Sequence, residues 1–476
     1  MGVIERVSKN IVSLITIEIV SQLSLLILAL IIPRYLGDTG FGQYSFVISF
    51  TMLFSIFLDL GLRSLTIREV SRVGSTTEKY LNNILVIKLI SSIVTFVTIL
   101  VIINIWRYSK VIQIAVFIMS LSLILNSFSD AFRSIFYAFE KMEYGTLTIT
   151  SGKVITTILA CIFLFFGYGV GEVVFAFFIG NAFALSLNYT IYIKNFPKPK
   201  FDIELNFCRR VIVMALPFGL AIAFNNIFFN FDIVIISRII GDAAAGWYSM
   251  PRYVLGVLIT FFYTISFAIF PTFSKFYSSS EESLKYAYKK TFKYLLILIA
   301  PVPFILYGLA DNIILVLFTD EFANSIFVFK ILIWLIIPIT LARYLEIILA
   351  SINKQEIVTY ILGIFALLNI VLDLALIPTL GYTGAIIATM IAQSGVFAID
   401  LYFVSKYLCK FPVFSFGWKP LIACGFVGAF IYYFQEVNFL VLGFAALILY
   451  FSLFACMKGF DKEDWDLIRH LLKRGS

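Results

Sequence analysis

Apolar runs of about twenty residues, each long enough to cross roughly 30 Å of hydrocarbon as a helix, recur along the whole chain. They lie near 11–32, 43–62, 81–104, 111–137, 146–166, 171–193, 210–236, 246–270, 291–310, 325–350, 357–377, 383–405, 418–434 and 437–457. A soluble core has no use for so many. With 61% hydrophobic residues and a mean hydropathy of +0.99, the chain reads as an all-α integral membrane protein of about fourteen transmembrane helices. The first run, preceded by Glu5, Arg6 and Lys9, is too long for a signal-peptide core and has no small-residue cleavage site after it. It is expected to stay as the first span.

The spans repeat. RYLGDTGFGQYS at 34–45 and RIIGDAAAGWYS at 238–249 share Arg, Gly, Asp, Gly, Tyr and Ser in register at an offset of 204. Each follows one apolar run and precedes another, so each reads as a tight connection in which Gly37 or Gly241 supplies a left-handed turn. Two pseudo-symmetric six-helix lobes follow, 1–200 and 201–410, with a final helix pair and tail over 411–476.

Charge tests the count. With both termini in the cytoplasm, 26 of the 36 Lys and Arg residues fall on the inner side, four fall outside (Arg34, Arg107, Lys110, Arg238) and six lie within spans. Losing one span would scramble that alternation. The formal net charge of +8 therefore reflects topology. Nucleic-acid binding is not expected, because no basic soluble domain exists to carry it.

The five cysteines form no disulfide framework: Cys161, Cys424 and Cys456 lie in apolar runs, and Cys208 and Cys409 in basic inner loops. The single histidine, His470, is in the tail, and no metal or cofactor is expected beyond a coupling proton or Na⁺. The longest connections, 194–209 with its NFPKPKF segment and 271–290 with its SSSEES run, are inner and basic. The first reads as a linker between halves. The second could start a helix at Ser280 with Lys285, Lys289 and Lys293 on one face, either lying on the anionic leaflet or simply solvated. The tail, with Trp465, Leu467, Ile468, Leu471 and Leu472, reads as an interfacial anchor.

A second repeat signal appears at an offset of 213, where Asp130 and Arg133 fall on Arg343 and Glu346, Lys141 on Lys354, Glu143 on Glu356 and Gly171 on Gly384. In each half an acid and a base three apart share one helix face near the inner end of a span. SIFYAFEKMEY (134–144), DLGL (59–62) followed by Arg68, and LLNIVLDLALIPTLGYTGAIIAT (367–389) then carry a resemblance. The chain resembles, over essentially its whole length, the O-antigen-type lipid-linked oligosaccharide flippases of the multidrug/oligosaccharidyl-lipid/polysaccharide superfamily. The most specific part is the Asn-x-x-x-Asp…Ile-Pro…Gly-Tyr-x-Gly-Ala pattern from Asn369 to Ala385. The resemblance implies a V-shaped bundle with a central cavity that alternates between inward-open and outward-open forms. It also implies a polyprenyl-phosphate- or pyrophosphate-linked glycan as substrate.

Carrying a charged, hydroxyl-rich head group across hydrocarbon requires a wet cavity with cations for the phosphate. The cations within spans are Lys88, Arg133, Lys153, Arg252, Lys330 and Arg343. Snorkelling to the inner interface accounts for Lys88 and Lys153 as readily as cavity lining does. Arg133 and Arg343 either pair with Asp130 and Glu346 or exchange those partners as gates. Gln22, Asn225, Asn226 and Asn230 suit sugar hydroxyls, since amides both donate and accept, although interhelical bonding explains them too. Glu18 and Asp232 are the candidates for a coupling ion, and Pro217 for a bend in the seventh helix.

The expected function is translocation of the lipid-linked oligosaccharide from the inner to the outer leaflet of the cell membrane, for surface glycan synthesis, by a protein taken as monomeric and without catalytic residues. Membrane lipids are its other partners. An ion-coupled multidrug exporter is the alternative, disfavoured because a cationic-drug site should be rimmed by acids. A membrane glycan polymerase or glycosyltransferase would need a sizeable outer loop with acids or His, and the outer loops here are short.

Overall fold

A computed structural model describes residues 3–72, 77–196, 204–410, 413–460 and 464, with side chains except those of 3–11, 14, 15, 221 and 413–416. The expected tail anchor at 465–472 and the linker residues 197–201 lie outside the described residues. The first helices in order are α1 (Val3–Leu53), α2 (Ser55–Asp59), α3 (Leu62–Arg72), α4 (Thr77–Ile105), α5 (Lys110–Ala138), α6 (Met142–Phe165) and α7 (Val170–Asn195). They continue as α8 (Leu205–Ile239), α9 (Asp242–Ala268), α10 (Phe270–Ser279), α11 (Glu281–Ile299), α12 (Pro301–Gly308) and α13 (Ala310–Leu317). The last are α14 (Ala323–Leu332), α15 (Ile336–Ser351), α16 (Gln355–Leu380), α17 (Tyr382–Tyr407), α18 (Val413–Tyr433) and α19 (Phe439–Cys456).

Among the described residues, twelve helices are long and apolar enough to cross a membrane. The helical run Thr16–Leu53 holds two of the fourteen expected spans, because α1 is broken at Gly37, where φ is 68° and ψ −175°. The 21-residue α18 corresponds to another. Gly241, at φ 126°, makes the matching turn in the second copy. The 271–290 connection is helical, not a loop: Ser280 separates α10 from α11, and its hydroxyl accepts from the Ser283 N–H at 3.2 Å, an N-cap. The helix α8 runs through Pro217 without interruption. Down α4, Ile90, Val94, Val97 and Val101 share one face and are each at least half exposed, a stripe that only lipid can cover.

The helices form two compact units, Met1–Met250 with Leu362–Ala388, and Pro251–Ile361 with Thr389–Ser476. The core of the first gathers Leu62, Leu65, Ile84, Phe132, Phe136 and Tyr192 around Val211 and Ala215 of α8. The core of the second packs α18 and α19 on α12 through Ala423, Val427, Leu442 and Ile305, and the buried Tyr450 hydroxyl donates to the Ile297 carbonyl at 2.9 Å. In the second unit Asp464 bonds Lys290 Nζ at 2.9 Å, Lys293 Nζ at 2.7 Å and the Tyr294 hydroxyl at 2.5 Å. Two lysines of α11 therefore engage the protein's own carboxylate.

Within the first unit the two copies of the repeated turn touch. A Cβ on Gly42 would lie 1.7 Å from the Asp242 carbonyl oxygen, and one on Gly246 would lie 2.2 Å from the Asp38 carbonyl oxygen. Gly42 and Gly246 are equivalent positions of the repeat, as are Asp38 and Asp242, so the contact is symmetric. The Trp247 indole N–H donates to Asp38 Oδ2 at 2.9 Å across it. A second glycine pair closes the same unit further along: a Cβ on Gly61 would meet the Ala215 carbonyl oxygen at 2.3 Å, and one on Gly219 would meet Leu60. Overpacking such a contact costs about 1–3 kcal/mol. Gly42→Ala and Gly246→Ala are each expected to lower the melting temperature of the purified protein, whereas Gly256→Ala, with open space at its Cβ, leaves it unchanged. A wild-type melt for both repeat variants would show that the backbones do not approach so closely.

Candidate functional site

The first unit holds a buried polar cluster where α2 gives way to α3. Leu60 and Gly61 take left-handed φ values of 51° and 81°, which ends α2 and leaves the Leu58 carbonyl without a helical partner. Lys88 of α4, fully buried, donates to that carbonyl at 3.2 Å, to Asp59 Oδ1 at 3.2 Å and to Ser127 Oγ at 2.9 Å. Three acceptors satisfy an ammonium, and a cation at the end of a helix also meets its dipole. Lys88 thus holds a helix break and does not reach an interface.

Beside it, Asp130 and Arg133 pair along α5 as their spacing requires. Arg133 Nη2 donates to Asp130 Oδ1 at 2.9 Å and to Asn126 Oδ1 at 2.8 Å, with the side chain only 6% exposed. Arg63 Nη1 stands 3.6 Å from the same Asp130 oxygen, its guanidinium over the Tyr137 ring, and Lys88 acts on that carboxylate as well. Unlike its neighbours, Arg63 is 44% exposed. Lys153 of α6 projects exposed, within electrostatic range of Glu18 and Arg133, and Gln22 donates to Glu18 Oε1 at 2.8 Å one turn along α1. The group therefore joins four cations (Arg63, Lys88, Arg133, Lys153) to three acids (Asp59, Asp130, Glu18), an excess of one positive charge.

Two amides of α8 bond within the first unit. Asn226 donates to Ser55 Oγ at 2.8 Å, Asn230 donates back to the Asn226 carbonyl at 2.9 Å, and Asn225 is half-buried. Asp232 is fully buried and accepts from the Tyr248 hydroxyl at 2.6 Å and the Ile233 N–H at 2.8 Å. Between α4 and α5, Tyr108 bonds Ser237 at 3.2 Å, and burial pushes its hydroxyl up to about 12 against the lowering effect of that bond.

In the second unit Arg343 Nη1 bonds Glu346 Oε2 at 3.2 Å, the counterpart of the Asp130–Arg133 pair with the charges exchanged. Lys330 is bound to Asp311 at 2.6 Å, and Arg252 is half-buried directly after Pro251. Sequence reasoning gathered the cations within spans but passed over Arg63, Asn126 and Asp400. Asp400 is visible as an acid inside an apolar run; Arg63 falls among the inner-loop cations because the second apolar run is drawn to end at 62.

The chain has known relatives. The sequence profile described as "Polysaccharide biosynthesis protein" matches residues 7–277, more than half of the chain. The chain belongs to that family. It is 24% identical over 321 residues to an uncharacterized membrane protein of Methanocaldococcus jannaschii, spanning 61% of that relative's length. In fold it is similar to "Lipid II flippase MurJ, inward closed conformation", with a TM-score of 0.75, 16% identity, and 94% of this chain and 98% of that one covered. It is also similar to an inward-facing multidrug resistance MATE transporter of the MOP superfamily, with a TM-score of 0.63, 14% identity, and 81% and 94% covered. The chain is thus a multi-pass membrane protein of that family with the fold of these transporters.

Removing one partner of a buried, bonded charge costs about 3–5 kcal/mol, less where the partner keeps some water. Lys88→Met should therefore lower the melting temperature well beyond any effect of Lys153→Met, because it removes the buried ammonium that bonds the Leu58 carbonyl, Asp59 and Ser127 together. Equal melts for the two variants would contradict the role given to Lys88.

Proposed function

We propose that this protein carries polyprenyl-phosphate- or pyrophosphate-linked oligosaccharide from the inner to the outer leaflet by alternating access, with both termini in the cytoplasm. The observation that carries the reading is the excess of positive charge in the first unit's cluster, near the end of the bundle where most loop cations lie. A lipid phosphate needs cations that water and ligand can reach. Arg63 and Lys153 are the accessible pair, and a guanidinium held over a tyrosine ring is preorganised for phosphate oxygens. Asp130, 3.6 Å from the Arg63 guanidinium, holds the first of them. Arg252 is a further cation, in the second unit, and Gln22, Asn225, Asn226 and Asn230 offer donors and acceptors to sugar hydroxyls.

No covalent step is required: the driving contribution is electrostatic matching of the head group while the prenyl tail stays in lipid. Charge-assisted hydrogen bonds of this kind contribute about 1.5–3 kcal/mol each, so losing one slows transport about tenfold or more. In vesicles reconstituted with the purified protein and labelled lipid-linked glycan, Arg63→Ala and Lys153→Ala are expected to show that loss with normal expression. Movement of a cationic dye without movement of glycan would reverse the reading in favour of a multidrug exporter.

A further inference from the structure

The second unit departs from the first in the third charge beside its repeated ion pair. In the first unit the Asp130–Arg133 pair is joined by the basic Arg63. In the second, the Arg343–Glu346 pair of α15 is joined by an acid, Asp400, two turns from the Tyr407 end of α17. The charged groups acting on Asp400 are Glu346 and Arg343, both on α15. It is 1% exposed, and among the described residues no donor bonds either carboxyl oxygen. Arg343 spends its Nη1 on Glu346, whose side chain is 13% exposed.

Two carboxylates thus stand within electrostatic range of one guanidinium at membrane depth, and only Glu346 is bonded to it. If both were ionised the trio would carry one uncompensated negative charge, and Asp400 would bear it without a hydrogen bond, an arrangement that desolvation makes prohibitive. A metal cation could compensate only with a shell of about six oxygen ligands. Among the described residues no group of three or more acidic, His or Cys side chains could hold a metal. A proton needs no such shell.

We infer that Asp400 is a proton-binding site: its carboxyl is protonated while Arg343 bonds Glu346, and it releases that proton when Arg343 turns to it. In that step the Asp400 O–H bond breaks, the proton leaves to water, and the carboxylate accepts N–H donors from Arg343. Glu346, losing its donor, is then the group that water must solvate or a second proton must neutralise. The exchange makes α15 and α17 respond to protonation, which would couple a proton gradient to the transport proposed above. The coupling rests on that proposal, whereas the proton site does not.

The test uses infrared difference spectroscopy on the full-length purified protein, without glycan, at neutral pH. The expected result is a carbonyl band of a buried carboxylic acid that shifts when the protein is made with carboxyl-¹³C aspartate, is absent from Asp400→Asn, and weakens in Glu346→Gln, where Arg343 is left to Asp400 alone. Labelling acts on the wild-type chain, so a poorly folding variant does not remove the test. Absence of the band in wild type, no shift on labelling, or its survival in Asp400→Asn would overturn the inference. Loss of the wild-type band on adding Na⁺ at constant pH would overturn it in favour of a cation. If the band behaves as expected while reconstituted protein moves no glycan, the proton site stands and the transport reading falls.

Discussion

An ionised side chain at membrane depth must be matched by the protein itself, because hydrocarbon offers it nothing. That constraint orders the interior of this molecule. Lys88 is placed by the carbonyl freed at the end of α2, and the left-handed Leu60 and Gly61 that free it are the DLGL motif. Arg133 is placed by Asp130 and Asn126, and Arg343 by Glu346. What remains after these pairings is small and of opposite sign in the two units: a surplus cation around Asp130 and a surplus acid around Glu346. The proposed chemistry follows from those remainders, anion binding in the first unit and proton binding in the second.

The glycine contacts connect this electrostatics to movement. Where Gly42 and Gly246 bring backbones together, little apolar side-chain area is buried, and hydrophobic stabilisation scales with that area. Such a contact can part without exposing a large greasy surface. A polar bond crosses it, from the Trp247 indole N–H to Asp38, and water can replace a bond of that kind. A repeat that placed Leu at these two positions would interdigitate and resist opening.

The sequence carried the architecture well, because span length, positive-φ glycines and i,i+3 charge pairs are local properties. Gly37 and Gly241 were legible as turns, and Asp130–Arg133 and Arg343–Glu346 as pairs on one helix face. The partners that decide what each pair does come from elsewhere in the chain and were not legible. Lys88 reads equally as a snorkelling lysine until Ser127 and Leu58 are seen around it. Lys293 reads as part of a leaflet-binding face with Lys285 and Lys289 until Asp464, far away in sequence, is found bonded to it. Arg63 follows the DLGL break and looked like a loop residue, yet its guanidinium reaches Asp130.

The central claim is that the first unit's surplus positive charge recognises a lipid phosphate. Native mass spectrometry of the purified protein, comparing polyprenyl pyrophosphate with the unphosphorylated polyprenol, tests it most directly. The account predicts at least about tenfold tighter binding of the phosphorylated lipid, a preference that weakens as salt is raised. Equal binding of the two lipids would contradict it.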